Sequence, residues 1–249
     1  MIGTMAVRYQ HIADDLRRRI TSGAWIPGER LPAESALAAL HKVSTPTLRN
    51  ALDVLAGEGL LEKRHGVGNF VRHPFQRITY TNDRRAPDRR PLDDAELQVN
   101  VSASPREARG DLMSLLQVVA GTPLTEYVYL SHLGDAPYSL ARVYVPRHVA
   151  YFSMPDQGRS PWGDDIEDRL AAAGVRTVAT VERVTARRPT SEEADTLRLN
   201  ARTAVLAVER TSTDAKGRVL AAALLVLPGD RAEAVFTTQA FDAEQEGVR

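Results

Sequence analysis

The 41 residues from Leu31 to Val71, LPAESALAALHKVSTPTLRNALDVLAGEGLLEKRHGVGNFV, constrain the fold more than any other part of the chain. They hold two helical runs, a short break and a pair of β-like arms, so each element must be brief and braced on its neighbours. Pro32 and Ala33 suit a first helical turn, and Leu37 and Leu40 are expected to point that helix inward. HKVS reads as the turn. There Val43 fits the angle between two helices, Ser44 or Thr45 caps the next one, and Pro46 is pre-set for its first turn. The following helix is predicted from about Thr45 to Ala56, with Leu48, Ala51, Leu52 and Leu55 as its buried stripe. After Gly57 and Gly59, the arms of LLEKRHGVGNFV fold back around His65-Gly66-Val67-Gly68. Upstream, Ile12, Leu16 and Ile20 form one apolar helical stripe flanked by Arg17, Arg18 and Arg19. Gly23 is placed to end that helix, and a proline-glycine turn lies in WIPGERLPAES.

This order is the plan of a winged helix-turn-helix. A helix braced across another can enter the DNA major groove, while a hairpin tip made of glycine reaches the adjacent minor groove. Thr45, Thr47, Arg49, Asn50 and Asp53 project away from the buried stripe. Arginine can read guanine, asparagine adenine, and threonine can use its hydroxyl or methyl. In the wing, Arg64 and His65 are placed for phosphate or minor-groove contact, and Gly66 and Gly68 let the backbone approach. The blander reading of that helix is a solvated face on a core element. A phosphate-cradling loop is the competing reading of GVG, but neither a Walker lysine nor a dinucleotide fingerprint accompanies it.

Composition bounds the rest. A chain of 249 residues, 43% hydrophobic and 26% charged, is long enough for one small and one larger domain. It contains no cysteine, which excludes a disulfide framework and Cys-ligated metal and suits a reducing cytoplasm. MIGTMAVRYQHIADD lacks a secretory apolar run, and no stretch approaches a membrane span, so a cytoplasmic protein without membrane association is expected. Net charge is zero, but residues 1–73 hold ten Lys/Arg against seven Asp/Glu, a balance of +3, leaving the remainder at −3. That asymmetry suits a modest phosphate-binding face.

Residues 73–96, HPFQRITYTNDRRAPDRRPLDDAE, mix proline with five basic and five acidic residues and read as a connector with one short strand at Gln76 to Thr81. From Leu97 the pattern is mixed. LQVNVSA alternates as a strand, SPREARGDLMSLLQV reads as a helix N-capped by Ser104, and LTEYVYLSHL and YSLARVYVP form a hairpin joined by GDAP. PWGDDIEDRLAAAG is an amphipathic helix and RTVATVERVTARRP a strand. TSEEADTLRL is a helix with Glu193 at capping-box spacing from Thr190, and a second hairpin turns at DAKG. Strands in hairpins with helices interposed argue an antiparallel α+β domain. Tyr127, Tyr129, Tyr144, Tyr151 and Trp162 concentrate aromatics here. Strand alternation puts Tyr127 and Tyr129 on one face, as core in preference to pocket lining.

Tyr9 to Val71, with PGERLPAESALA, VSTPTLRNAL and EGLLEKRHGVGNFV, resembles the DNA-binding domain of the GntR family of bacterial transcription regulators. The resemblance implies a dimer with two recognition helices in successive major grooves of a palindrome. Ser44, Thr47, Arg49, His65 and Gly66 match the family's contact positions. Ser35 and Thr45 stand where the family most often has arginine, so an operator differing from the usual family sequence is expected. From Leu97 to about Thr238, LARVYVP, AVLAVERTSTDAKGRV and PGDRAEAVF resemble the UTRA effector domain of the HutC branch, a chorismate-lyase-like fold. By that likeness the domain binds a small molecule, pairs the subunits and shifts the heads.

Sugar-phosphate-responsive relatives carry an R-x-R pair, two glutamates, and a serine and tyrosine at a helix start. The matching positions here are Tyr129 and Ser131, Ala141 and Ala221, and Ser160 and Trp162. Without the arginines a dianionic phosphate has few fixed partners, which argues for a larger, less charged ligand. Arg142 and Glu182 are the remaining charged candidates. The six histidines show no metal-ligand spacing, and no HExxH or GxSxG appears. No cofactor, metal or catalytic residue is therefore expected. The reading is a homodimeric, effector-released repressor with a winged helix-turn-helix at 1–73, a linker at 74–96 and the effector domain at 97–249. The alternative is a ligand-independent DNA-binding regulator whose second domain only dimerises.

Overall fold

The computed structural model describes residues 2–64, 66–72, 77–81, 97–153, 160–200 and 202–238. The head comprises α1 (Ile2–Thr21), α2 (Glu34–Leu40), α3 (Thr45–Gly57) and the antiparallel pair β1 (Leu61–Arg64) and β2 (Gly68–Val71). Its core is the interleaved stripes expected from 3.6-residue spacing: Ile12 and Leu16 of α1, Leu37 of α2, and Leu48, Ala51, Leu52 and Leu55 of α3, all buried. Gly23 closes α1 in the left-handed region (φ 77°), its N–H donating to the Ile20 carbonyl at 3.1 Å.

Two local expectations are corrected. α2 starts at Glu34 rather than Pro32, and Leu40 is 60% exposed because the buried face is set by Leu37 and Ala38, from which Leu40 is turned away. Ser44 sits at the N-cap of α3 but makes no side-chain cap, since its hydroxyl pairs with that of Thr47 at 2.9 Å. Beside β2, residues 28–31 run antiparallel to it, with an isolated bridge between Arg30 and Phe70. Gly28 N–H donates to the Val71 carbonyl, Val71 N–H to that of Glu29, and Leu31 N–H to that of Asn69, each at 2.8 Å.

The larger domain is built on a six-stranded antiparallel sheet. Its strands are β4 (Leu97–Glu107), β5 (Pro123–Leu133), β6 (Ala136–Pro146), β7 (Ala179–Arg187), β8 (Val205–Thr213) and β9 (Val219–Pro228), in spatial order β4-β5-β6-β9-β8-β7. Both hairpins lie where the sequence puts them. β3 (Ile78–Thr81) pairs in parallel with β10 (Ala232–Val235), Ile78 opposite Ala232, so part of the connector is tied to the far end of the chain. The helices are α4 (Asp111–Leu116), α5 (Asp165–Ala172) and α6 (Ser191–Thr196). The capping box of α6 forms: Glu193 N–H donates to Thr190 Oγ1 at 3.2 Å and Thr190 N–H to the Glu193 carboxylate at 2.8 Å.

Ser104 is not a helix cap. β4 runs on through Pro105 to Glu107, with Ser104 opposite Glu126 and Pro105 opposite Thr125, and α4 begins only at Asp111. Proline is tolerated because β4 is an edge strand, whose outward N–H positions have no ladder partner.

Both sheet faces are covered. Tyr127, Tyr129, Ala141, Val143, Ala221, Ala223 and Leu225 pack with α5, through Ile166 and Leu170, and with β3, through Ile78 and Tyr80. On the other face α4 packs by Leu116 on Tyr144 and Ala222, and Leu197 after α6 packs on Leu140 and Val226. Among the described residues no helix is long and apolar enough to cross a membrane.

Candidate functional site

Because α3 buries Leu48, Ala51, Leu52 and Leu55 completely, its opposite face is fixed in direction. That face carries Arg49 and Asn50, both exposed, with Thr45 and Thr47 half-buried beside the exposed Ser44. Ser35 is exposed on the first turn of α2, next to Glu34. The side chain that most orders this face is Glu34. One of its carboxylate oxygens accepts from Arg49 Nε at 2.7 Å and the other from Asn69 Nδ2 of the wing at 3.4 Å. Hydrogen bonding from Arg49, aided by Asn69, holds the Glu34 carboxyl below the usual carboxylate range. The clamp joins α2, α3 and β2, and sequence reasoning missed it because no local periodicity links positions 34, 49 and 69.

The wing tip turns through Gly66 (φ 71°) and Gly68 (φ 142°), with Val67 between them half exposed. Such angles favour glycine, and at Gly66 nothing lies within 4 Å of where a side chain would start, so its backbone is open to approach. Arg64 bonds Glu62 at 3.1 Å and lies over the Phe70 ring at 4.4 Å, which aligns it along the wing. His65 lies outside the described residues. Between wing and helices runs an open groove of about 570 Å³ bordered by Arg30, Glu34, Arg49, Lys63, Arg64, Val67 and Asn69. Lys63 is paired with Asp53 of α3.

In the larger domain, five of the six effector candidates lie on the α5 side of the sheet or in elements packed there. Tyr129 and Ser131 are fully buried, and the Ser131 and Ser139 hydroxyls bond each other at 2.6 Å. Trp162 meets Tyr80 edge-on at 5.5 Å, and Tyr80 donates to Glu182 at 2.7 Å. Ser160 donates to Asp164 at 2.8 Å, and Asp164 also accepts from the buried Arg210 at 2.7 Å. The Tyr129 hydroxyl and the Asp165 carboxyl are buried close to each other. Burial pushes the Asp165 carboxyl up, and burial with the neighbouring Asp165 pushes the Tyr129 hydroxyl up.

Arg142 is set apart from that group. Strand alternation turns it to the opposite face from its neighbour Ala141, where it bonds Glu126 at 3.2 Å and pairs with Glu192. Glu126, nearly fully buried, also accepts from Arg106 at 2.7 Å and Tyr144 at 3.0 Å. Tyr127 and Tyr129 are core residues, as their alternation suggested.

Comparison with known proteins agrees with both halves. Residues 8–71 match the family of bacterial regulatory proteins named gntR, and residues 99–233 match the UTRA domain. An uncharacterized HTH-type transcriptional regulator of Rhizobium meliloti is 28% identical over 214 residues, 84% of this chain and 86% of that one. The histidine utilization repressor of Klebsiella aerogenes is 39% identical over 66 residues, which cover 26% of this chain and 27% of the relative. A crystal structure assigned to the GntR family of transcriptional regulators superposes with a TM-score of 0.62 at 27% identity, covering 94% of this chain and 98% of that one. PhnF from Mycobacterium smegmatis shares the fold, with a TM-score of 0.53 at 20% identity over 92% of this chain and all of its own. The first three of these relatives carry the names of transcriptional regulators or a repressor.

Proposed function

Since the chain belongs to the gntR family of DNA-binding transcriptional regulators and carries a UTRA domain behind its winged head, we propose that it is a homodimeric repressor, released from a palindromic operator by a small-molecule effector. The proposed division is a head at 1–73, a linker at 74–96 and an effector and pairing domain at 97–249, working in the cytoplasm. The observation that carries the DNA-reading part is the row of exposed Ser44, Arg49 and Asn50 with half-buried Thr47 on a helix whose other face is wholly buried, beside a glycine-tipped wing. Arg49 is the principal base reader and would contact guanine bidentately, discriminating by about 1–3 kcal/mol. Two such heads on one dimer would read half-sites about one helical turn apart.

The effector is not a phosphosugar. A dianionic phosphate calls for fixed cations or several N–H donors, and Tyr129 and Ser131 supply none at those two positions. The complete burial of both residues also supports the second reading, a regulator that binds DNA without a ligand and uses its larger domain only for pairing.

Selection from random DNA tests the operator, with the sequence upstream of the gene as first probe. Arg49→Ala should abolish specific binding without unfolding the protein, and retained operator selectivity would overturn the assignment of α3. Metabolite screening by thermal shift, followed by operator-release assays, separates the two readings: release supports the first, and a complex that stays bound across the panel supports the second.

A further inference from the structure

The groove between wing and helices contains a cation that the established roles leave unused. Of its four basic residues, Arg49 is bonded to Glu34, Lys63 to Asp53 and Arg64 to Glu62. Arg30 is exposed and has no carboxylate partner among the described residues. Its placement is specific all the same. The backbone of residues 28–31 is bonded to the outer edge of β2, and Arg30 stands opposite Phe70. Its guanidinium then crosses the base of the wing tip, where a Cβ on Gly68 would come within 2.9 Å of Arg30 Nε. Gly68 therefore does two things at once: it takes a backbone angle that favours glycine, and it leaves room for this side chain.

We propose that Arg30 binds a backbone phosphate of the operator, through an anion site formed by the 28–31 segment and the wing. The inference rests on the DNA-binding reading above and adds a residue to it. A helix in the major groove and a wing in the adjacent minor groove must straddle the sugar-phosphate ridge between them. Arg30, held at the base of the wing and not on α3 as Arg49 is, is placed for that ridge and not for the base edges. A guanidinium suits it, since its planar fork can meet two phosphate oxygens. The lack of a carboxylate partner means that no existing ion pair has to break on binding.

A phosphate contact and a base contact differ in two readouts. Phosphate contacts carry no sequence information, and each contributes about 0.9 to the slope of log affinity against log salt. Arg30→Ala should thus weaken binding to operator and to random duplex by the same factor and leave their ratio unchanged. The salt slope should flatten by about 0.9 per head, or about 1.8 for two heads, so the defect shrinks roughly tenfold between 50 and 200 mM salt. Arg30→Lys should restore most of the slope. Thermal unfolding of free Arg30→Ala should match that of the parent, because the side chain is exposed.

Fluorescence anisotropy on both duplexes across that salt range is the test. An unchanged slope with parental affinity overturns the proposal, and so does a loss confined to the operator, which would make Arg30 a base reader. Should the parent protein bind random duplex with a normal salt slope yet select no sequence, the operator reading fails, while the Arg30 slope on random DNA still decides this proposal.

Discussion

Arg72, at the end of the head, donates from Nη1 to Asp230 Oδ2 at 2.6 Å, and Asp230 lies at the turn between β9 and β10. The Asp230 side chain is 2% exposed, and its other oxygen accepts from the buried Arg231 at 3.1 Å. Gly59 is pressed against the same spot, where a Cβ would come within 2.7 Å of Asp230 Cβ. Nearby, Arg202 reaches the Asn50 carbonyl at 3.5 Å and Asp53 at 3.9 Å, so α3 itself touches the larger domain.

Removing Asp230 takes a shared carboxylate from two arginines, one of them buried, although Arg231 keeps its bond to the Pro137 carbonyl at 2.9 Å. Breaking a buried pair from one side costs about 3–5 kcal/mol, and the partial exposure of Arg72 puts Asp230→Ala near the lower end. Calorimetry should show a lowered Tm and a head that unfolds as a separate, earlier transition. Arg72→Ala should separate the transitions with a smaller loss, since Arg231 still neutralises Asp230.

The Glu34 clamp on Arg49 makes a second expectation. Glu34→Gln removes a negative charge from the DNA face and the charge-assisted bond that orients Arg49. Affinity for random duplex should rise and the operator-to-random ratio should fall about fivefold, a loss of ~1 kcal/mol at the low end of what one arginine-guanine contact discriminates. Anisotropy titrations on the two duplexes measure both. An unchanged ratio would show that Arg49 orients itself.

How legible this was depends on the range of the interactions. The stripe of α3 and both long hairpins could be read from spacing, because 3.6-residue and two-residue periods are local. Leu40 and Ser104 were misread for opposite reasons. Leu40 is the last residue of α2, and helical spacing turns it away from the face that Leu37 and Ala38 bury. Ser104, with proline behind it, looks like a helix start until β5 is laid against it. The pairing of Ile78 with Ala232, and the meeting of Glu34, Arg49 and Asn69, join positions far apart in the chain and leave no trace in any short window. Arg142 was within reach of the sequence, since alternation alone puts it on the opposite face from Ala141.

Glu126 gives a pH dependence. Burial alone would push its carboxyl up, but Arg106, Tyr144 and Arg142 outweigh burial and hold it below the usual range. A group whose pKa is lowered by folding contributes stability above its unfolded value, about 4.3, and loses it as pH falls through the folded value. Urea denaturation at pH 7, 5, 4 and 3 should therefore show declining stability below about pH 4.3. Glu126→Gln should be less stable at pH 7 and flatter over the acid range. A parent-like acid slope in the variant would assign the loss to other carboxylates.

Gly163 tests how closely the start of α5 is pressed against the sheet. It sits in the left-handed region at φ 71°, and a Cβ there would lie 2.5 Å from Val143 Cγ2 and 3.1 Å from Tyr129 Cε2. Gly174, after α5, has nearly the same angle (φ 78°) with nothing within 4 Å. The two glycines therefore separate backbone strain from overpacking. Gly174→Ala should cost about 1 kcal/mol, the strain of a left-handed alanine. Gly163→Ala adds an overpacking cost of about 1–3 kcal/mol, because the side chain it would meet, Val143, is buried in the core. Val143→Ala removes the clashing methyl groups, so in the Gly163→Ala background it should cost at least ~1 kcal/mol less than alone. Chemical denaturation of the four proteins in that cycle measures the coupling. Additive losses would mean that the turn carrying Trp162 swings away from the sheet instead of pressing on it.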